Sequence, residues 1–293
     1  KIYPKKDQVV LIEKHFGCNR FVYNWALNQK IEFYKQHEKS ISEAKLMGLL
    51  TKVKHEEDKE WLKEVHSQTL QQSIKDLESA FSHFFRKNNS FPKFKSRKNP
   101  KQSFRFPQGF KVDYDKHYVK LPKIGWVRFK DKFNVPKNAE FRNITISRKN
   151  NKYYASIIYD DHKALPKKKK PTKSKTLGID LGTTHLATYS DGTKTDNPRH
   201  IKQYEQKLKE AQQELNRQQK GSKSYEKTKN KVAKIHEKIS NTRKDFLHKL
   251  STSLVENQDY ASISIEDLAV KDMLQSEENN KHVNRAIGDA SWR

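Results

Sequence analysis

The segment TLGIDLGTTHLATYSDG, residues 176–192, constrains the fold of this chain more than any other. Its alternation predicts one strand that ends near Gly182 and a second strand from His185 to Tyr189, joined by a tight turn. Asp180 lies in the first strand, although Asp is disfavoured in strands and is rarely buried without a partner. A strand pair with an acid at its tip suits a divalent cation, while an acid that caps a turn is the plain alternative.

A second strand-like run, ASISIEDLAV (residues 261–270), also ends in carboxylates, Glu266 and Asp267. We predict that the intervening helices return this strand beside the first, so that Asp180 and Glu266 lie in one sheet. Two carboxylates placed in this way can hold two metal ions about 3.5–4 Å apart, which clamp the attacking and leaving oxygens of a phosphodiester. Asp267 is the weaker candidate because its side chain points to the other face of the strand.

The charge balance of the chain indicates a polyanionic partner. The chain has 61 Lys and Arg residues against 35 Asp and Glu residues, a formal charge of +26, and each phosphate that such a surface neutralises releases counterions. Solvated basic faces are the plain alternative, and a membrane-surface role is disfavoured because the charge is spread over the whole length. A single cysteine, Cys18, and the absence of any run of 18 apolar residues predict a protein of a reducing compartment without a membrane span.

Hydrophobic periodicity divides the chain into a helical first part, a β-rich middle and a mixed last part. Helices are predicted to begin at about Lys6, Ser42 and Ser67. Alternating runs broken by Pro, Gly and Asn predict an antiparallel sheet or barrel over residues 91–159. The proline-bounded basic run 166–171 is the expected domain boundary. Residues 199–256 predict two helices that break at a turn over residues 221–224 and pack as an antiparallel hairpin.

A series of segments runs in order along the whole chain: IYPKKDQ, FGCNRFVYNWAL, LQQSIKDLESAF, FPKFKSR, KLPKIGWVRF, GIDLGTTHLATYSDG, the basic helical stretch beginning KGSKSYEK, SISIEDLAV and AIGDASW. In this order they resemble the TnpB family, the transposon-encoded ancestors of type V CRISPR effector nucleases. The resemblance implies an RNA-guided DNA endonuclease. A transposon-derived guide RNA would pair with one strand of target double-stranded DNA while the protein reads a short adjacent motif. It also implies a cytoplasmic, nucleoid-associated prokaryotic protein that acts as a monomer on one RNA.

The resemblance implies an α+β multidomain fold with three parts. These are a wedge-type oligonucleotide-binding β-barrel (1–23 and 99–165), a helical recognition insert (24–98), and an RNase H-like RuvC α/β nuclease domain (166–293) with a helical hairpin insertion (199–256). Carried onto this chain, Asp180 and Glu266 match the first two catalytic carboxylates of the family and would hold two Mg²⁺ ions. The third catalytic Asp and a zinc-binding CxxC…CxxC element of the family lie downstream of the DASW segment. We therefore expect the RuvC domain to be incomplete at Arg293 and Zn²⁺ to bind beyond it.

Two other functions remain open at this stage. A nuclease-deficient, RNA-guided DNA-binding repressor of the same family would account for a site with only two of the three carboxylates. More remotely, GIDLGTT is also similar to the first phosphate loop of the actin and DnaK-type ATPases. That family needs further Gly-rich loops downstream, and nothing after residue 184 resembles them.

Three surfaces are predicted to contact nucleic acid. The polar face of the helix that begins at Ser67, rich in Gln and without acids, is predicted to read the target-adjacent motif, because Gln pairs with N6 and N7 of adenine. The basic helices 199–250, Arg20 and the strands at 120–130 are predicted to hold a structured guide RNA through its backbone. Ordinary solvated faces are the plain alternative for both helical surfaces. The predicted contact residues are Arg20, Ser67, Gln68, Gln71, Gln72, Lys75, Lys120, Lys123, Arg128, Lys220, Lys223 and Arg243.

Overall fold

A computed structural model describes residues 1–99, 101–130, 135–136, 138–164, 172, 175–257, 259–275 and 280–290. The chain forms two compact units, Lys1–Ala164 and Leu165–Arg293, and each combines helices with a sheet, so the protein is mixed α+β. The basic run 166–171, expected as the domain boundary, lies outside the described residues, as do Ser291 and Trp292 of the DASW segment. Within the described part, no helix is long and apolar enough to cross a bilayer.

The first unit begins with helices that pack around one apolar core. Its first elements are strand β1 (Ile2–Tyr3), helix α1 (Lys6–His37), helix α2 (Glu43–Val53), a 3-10 helix (Glu57–Glu64) and helix α3 (Ser67–Phe85). Ser42 caps α2, since its side chain accepts a hydrogen bond from the amide of Lys45 at 3.3 Å. The apolar stripe of α3, which includes Leu70, Ile74 and Leu77, is fully buried against the other helices. The apolar face of this amphipathic helix therefore forms part of the core.

The rest of the first unit is an antiparallel sheet. Its further strands are β2 (Gln102–Phe106), β3 (Lys111–Asp113), β4 (Tyr118–Leu121), β5 (Gly125–Phe129), β6 (Glu140–Lys149) and β7 (Lys152–Asp160). They pair in the order β2-β6-β7-β1-β5-β4-β3. Phe104, Phe106, Val127, Ile144 and Ile146 form much of the buried face. The end strands β2 and β3 do not pair with each other among the described residues, so hydrogen bonds do not close this sheet into the expected barrel there.

Helix α1 joins the two cores of the first unit. It runs without interruption for 32 residues. Ile12 and Phe16 on its first half pack into the sheet core, whereas Val22 and Leu27 on its second half pack into the helical core. The boundary expected between residues 23 and 24 therefore falls inside one continuous helix.

The second unit contains a small sheet and a helical hairpin. Its elements are β8 (Thr176–Leu181), β9 (His185–Tyr189), β10 (Lys194–Asp196), α4 (His200–Asn216), α5 (Lys223–Glu256), β11 (Ser262–Ile265), α6 (Val270–Gln275) and α7 (Lys281–Ala290). The strand order is β10-β9-β8-β11, and β11 runs parallel to β8. The two helices break where the sequence predicts: Gly221 adopts a φ of +89°, and the Ser222 side chain caps α5 by accepting from the Tyr225 amide at 3.1 Å.

Candidate catalytic carboxylates and nucleic-acid surfaces

The parallel pairing of β8 and β11 positions the two candidate acids. Its register pairs Ile265 with Ile179, and Glu266 and Asp180 are the next residues along each chain, with Glu266 directly after the end of β11. Neighbouring strands lie about 4.8 Å apart, so both acids are at the same edge of the sheet. Asp180 and Glu266 are both exposed. The long excursion through α4 and α5 thus returns the second acid to the strand that carries the first.

The face of β8 that carries Asp180 is polar and has small side chains. The hydroxyls of Thr176 and Ser262 lie 2.7 Å apart across β8 and β11, and the amide of Gly178 donates to the Ser190 hydroxyl at 3.0 Å. The opposite face is apolar, and there Leu177 and Ile179 belong to a small buried cluster that Leu254 of α5 also contacts. An acid in this strand therefore costs little desolvation, because every second side chain faces away from the core.

Gly182 explains the tight return of the chain after Asp180. A Cβ at this position would lie 2.9 Å from the carbonyl oxygen of His185, closer than such atoms approach in proteins. The amide of Gly182 faces the carbonyl of Leu186 at 3.4 Å, and the Asn197 side chain supports the turn by donating to the Thr183 carbonyl at 2.8 Å. The absent side chain lets β9 fold back directly, which leaves Asp180 close to the turn of the β8–β9 hairpin.

Other acids near the pair have local partners. Asp191 accepts hydrogen bonds from the Thr193 hydroxyl at 2.6 Å and from the Tyr260 hydroxyl at 3.0 Å, and these contacts, with that of Thr193 first, lower the pKa of its carboxyl. His185 lies with its Nδ1 2.9 Å from Asp196 Oδ1. Turn and cross-strand chemistry therefore account for both groups.

Two acids, Asp180 and Glu266, are the candidate metal ligands at this edge of the sheet. No group of three or more His, Cys, Asp or Glu side chains suited to a metal occurs in the described parts of the chain. Glu266 and Asp267 both border a cavity of about 450 Å³ that Ile179 and Leu254 also line. A cation shared with Asp180 would therefore draw the Glu266 side chain away from this apolar cavity and toward the polar face.

The predicted motif-reading face lies on the first turns of α3. Ser67, Gln71 and Lys75 are exposed, and Gln68 and Gln72 are half-buried. The prediction that this face lacks acids is wrong. The Gln72 amide donates to Asp76 Oδ1 at 3.2 Å, and Arg105 pairs with the same oxygen at 2.8 Å. Arg105 offsets the charge of Asp76, and the Gln71 and Lys75 side chains remain on the open side of the helix.

The outward face of β4 and β5 combines basic and aromatic side chains, a combination that suits contact with a nucleic-acid backbone and its bases. Across these strands Lys120 pairs with Trp126, and Tyr118 pairs with Arg128. All four are exposed. Lys123 lies in the turn between the strands and donates to the backbone carbonyl of Lys63.

Arg20 and the predicted basic residues of the helical hairpin differ in the solvent exposure of their side chains. Lys220 and Lys223 flank the turn between α4 and α5 and are exposed. Arg20 is half-buried, and its guanidinium donates to Gln102 Oε1 at 3.4 Å. Arg243 is directed inward: its guanidinium pairs with Asp289 at 3.2 Å, and its side chain is only 21% exposed. That pairing leaves Lys220 and Lys223 as the more open of the predicted hairpin contacts.

Asp289 is the structurally important residue that the sequence patterns did not single out. Both of its carboxylate oxygens accept from the amide of Ile201, at 3.1 and 3.2 Å. It thus caps α4, because Arg199 at the cap position makes no side-chain cap. Through Ile201 and Arg243 it ties α7 to α4 and α5. It also borders a cleft of about 320 Å³ with Thr183 and other residues of the turn that follows β8.

Known proteins are similar to this chain over its whole length. A family model described as "Probable transposase" (OrfB_IS605) matches residues 156–277, and one described as "Helix-turn-helix domain" (HTH_OrfB_IS605) matches residues 1–39. The "Putative RNA-guided DNA endonuclease InsQ" of Escherichia coli (strain K12) is 35% identical over 303 residues, which cover 100% of this chain and 73% of InsQ. A "Putative RNA-guided DNA endonuclease" of Streptomyces pristinaespiralis is 35% identical over 300 residues, which cover 100% of this chain and 70% of that protein.

The chain belongs to the TnpB family. The resemblance inferred from the ordered sequence segments is therefore confirmed. In this TnpB-family chain, the stretch matched as a helix-turn-helix domain holds β1 and the continuous helix α1. The match to the transposase family includes both candidate acids, Asp180 and Glu266.

Proposed function

We propose that this protein is an RNA-guided DNA endonuclease of a transposon, which cleaves double-stranded DNA beside a short target-adjacent motif. The observation that supports the proposal is the register of β8 and β11, which pairs Ile265 with Ile179, the residues directly before Glu266 and Asp180. Similarity over the full chain to relatives named as RNA-guided DNA endonucleases supports it. In this proposal the unit Leu165–Arg293 is the RuvC-type nuclease domain, and the sheet of the other unit serves as the oligonucleotide-binding wedge.

Mg²⁺ is the cofactor that this pair of acids fits. Mg²⁺ takes hard oxygen ligands and is usually held by one or two carboxylates plus substrate phosphates. Asp180 and Glu266 would hold it, with two ions expected. When bound, it supplies charge stabilisation and an activated water for phosphodiester hydrolysis. The chain itself brings the two acids to one edge of the sheet through the pairing of β8 and β11, and Gly178, which has no side chain, and the small Ser264 leave room for a phosphate backbone. Zn²⁺ beyond Arg293 stays a prediction.

The basic surfaces are proposed to hold one guide RNA per protein monomer, which would act in association with the nucleoid of a prokaryotic cell. The Tyr118, Lys120, Trp126 and Arg128 face of β4 and β5 would contact the RNA, since it offers both cations and ring faces. Lys123, Arg20, Lys220, Lys223 and Arg243 are proposed to add backbone contacts, with Arg243 contributing least because of its ion pair. The Ser67, Gln68, Gln71, Gln72 and Lys75 face of α3 would read the target-adjacent motif.

Cleavage of a supercoiled plasmid by the RNA-loaded, full-length polypeptide in Mg²⁺ tests the proposal. Asp180→Asn and Glu266→Gln keep the shape of each side chain but remove its charge. We expect each to reduce cleavage by at least about 100-fold, the scale seen when one group that stabilises transition-state charge is removed. Guided DNA binding should stay within about twofold, because phosphate contacts elsewhere carry the affinity. Asp267→Asn and Asp191→Asn are the matched controls and should cleave normally.

Two outcomes would decide against the nuclease. Normal cleavage by Asp180→Asn would end the assignment of this site. Guided binding without any cleavage by the wild-type polypeptide would instead favour the nuclease-deficient repressor.

A further inference from the structure

An exposed group of aromatic rings lies where α3 ends. Phe81, Phe84, Phe85 and Phe91 contact one another, Phe94 follows three residues after Phe91 in the chain, and these five residues are here called the phenylalanine platform. Phe85 is 74% exposed, Phe94 55% and Phe91 45%. Phe91 packs edge-on against Phe81 and Phe84, with ring centres 5.5 and 5.4 Å away. In the described part of the chain Phe94 has no ring partner, and both Phe85 and Phe94 leave much of their surface to solvent.

The segment that carries these rings is strongly basic. Residues 86–101 contain no acid and seven basic residues: Arg86, Lys87, Lys93, Lys95, Arg97, Lys98 and Lys101. Within the described residues none of the seven forms an ion pair with a carboxylate. One of the seven, Lys95, places its ammonium over the Tyr23 ring at 3.8 Å. Exposed rings interleaved with cations that have no carboxylate partner suit a polyanion that has aromatic faces of its own, and a single nucleic-acid strand has both features.

The segment is fixed in place although it has no regular secondary structure. Asn24 of α1 clamps it with two hydrogen bonds, accepting from the Lys95 amide at 2.7 Å and donating to the Lys95 carbonyl at 2.9 Å. The buried Gln102 donates from Nε2 to the carbonyls of Ser96 and Asn99, at 3.1 and 2.8 Å. A surface held in this way loses little conformational entropy when it binds a ligand.

We infer that the phenylalanine platform binds an unpaired DNA strand by stacking its bases on Phe85 and Phe94. The choice of DNA rests on the proposed function, in which the polar face of α3 contacts target duplex. Fourteen residues of helix separate Gln71 from Phe85, about 21 Å at 1.5 Å per residue, which corresponds to about six base pairs at 3.4 Å each. A strand that separates from the duplex beyond the motif would therefore meet the platform.

Fluorescence anisotropy with a short labelled oligothymidylate and the 293-residue chain, without guide RNA, tests this inference. Phe94→Ala and Phe85→Ala should each weaken binding by about tenfold, the loss expected when one base loses its aromatic partner. The matched control is Tyr34→Ala. Tyr34 is 60% exposed at the end of α1 but lies between Glu32 and Glu38, so its loss should leave binding unchanged. Lys93→Gln should lower the slope of log K against log salt by about 0.7.

Circular dichroism should show unchanged folding, most securely for Phe94→Ala because Phe94 has no ring partner among the described residues. Ultraviolet cross-linking of the bound strand should label peptides within residues 81–95. Equal affinity of the wild-type, Phe85→Ala and Phe94→Ala proteins would overturn the inference. Tighter platform-dependent binding of oligouridylate than of oligothymidylate would overturn the assignment to DNA. The assay needs neither guide RNA nor cleavage. If the protein binds oligothymidylate through the platform but the RNA-loaded polypeptide never cleaves DNA, the proposed function is refuted and the platform inference is not.

Discussion

Removing the Asp289 carboxylate should lower the free energy of unfolding of the second unit, because three of its helices meet at this side chain. It caps the first turn of α4 through the Ile201 amide and pairs with Arg243 of α5. The Asp289 side chain is 9% exposed and the Arg243 side chain 21%. Asp289→Ala would leave the amide without its cap and the guanidinium half-buried without its counter-charge.

The two losses can be estimated separately. Loss of a helix cap costs about 1 kcal/mol. Breaking a buried ion pair costs about 3–5 kcal/mol, and partial exposure of Arg243 reduces this to about 2 kcal/mol. Asp289→Ala should therefore destabilise the unit by about 3 kcal/mol. Asp289→Asn keeps an oxygen for the Ile201 amide and loses only the ion pair, so it should cost about 2 kcal/mol. For a unit of this size, about 3 kcal/mol corresponds to a fall in Tm of about 10 °C.

Thermal unfolding followed by circular dichroism measures these changes, since α4 and α5 supply much of the helical signal of the unit. Arg243→Gln and the double variant complete a mutant cycle, in which the double variant should be more stable than the sum of the single losses implies. A Tm within about 1 °C of wild type for Asp289→Ala would refute the assigned cap and ion pair. If the stability losses of the two single variants simply add in the double variant, the ion pair between Asp289 and Arg243 is refuted, but the cap on α4 is not.

Three shorter predictions concern other parts of the chain. Burial lowers the pKa of His15 from 6.5 to about 4, so the unfolded chain binds an extra proton between these values. Stability should be full above about pH 6.5 and should fall toward pH 4 by at most about 1.4 kcal/mol per pH unit, and His15→Gln should flatten this slope in urea unfolding. Gly182→Ala should destabilise the second unit by about 1–3 kcal/mol, because its Cβ would meet the His185 carbonyl; an unchanged urea midpoint would contradict the steric argument. Gln71→Ala should change motif preference in a plasmid-depletion assay more than total affinity, and an unchanged depletion profile would refute motif reading by α3.

Local patterns in the sequence predicted α1, α3 and the α4–α5 hairpin but not the short helices α6 and α7. Alternation and the terminal acids identified both strands that carry Asp180 and Glu266. The register between β8 and β11 depends on how α4 and α5 connect the two strands, and no local pattern predicts that register. The helix that begins at about Lys6 was predicted, but the expected boundary between residues 23 and 24 did not anticipate that this one helix packs into two different cores. The role of Asp289 could not be predicted from local patterns, because its partners lie 46 and 88 residues away in the chain. The contact of Gln72 with Asp76 shows that an acid one helical turn further on can border a face that looks free of acids in the sequence.

Binding of Mn²⁺ to the 293-residue chain, measured by electron paramagnetic resonance, tests most directly whether Asp180 and Glu266 form one cation site. Asp180→Asn and Glu266→Gln should each weaken binding by about tenfold or more, because affinity for a hard cation follows the number of charged ligands. The double variant should bind little more weakly than either single variant, since both acids serve the same ion. Asp267→Asn should bind as wild type does. Independent, additive losses, or no loss on Glu266→Gln, would contradict a shared site.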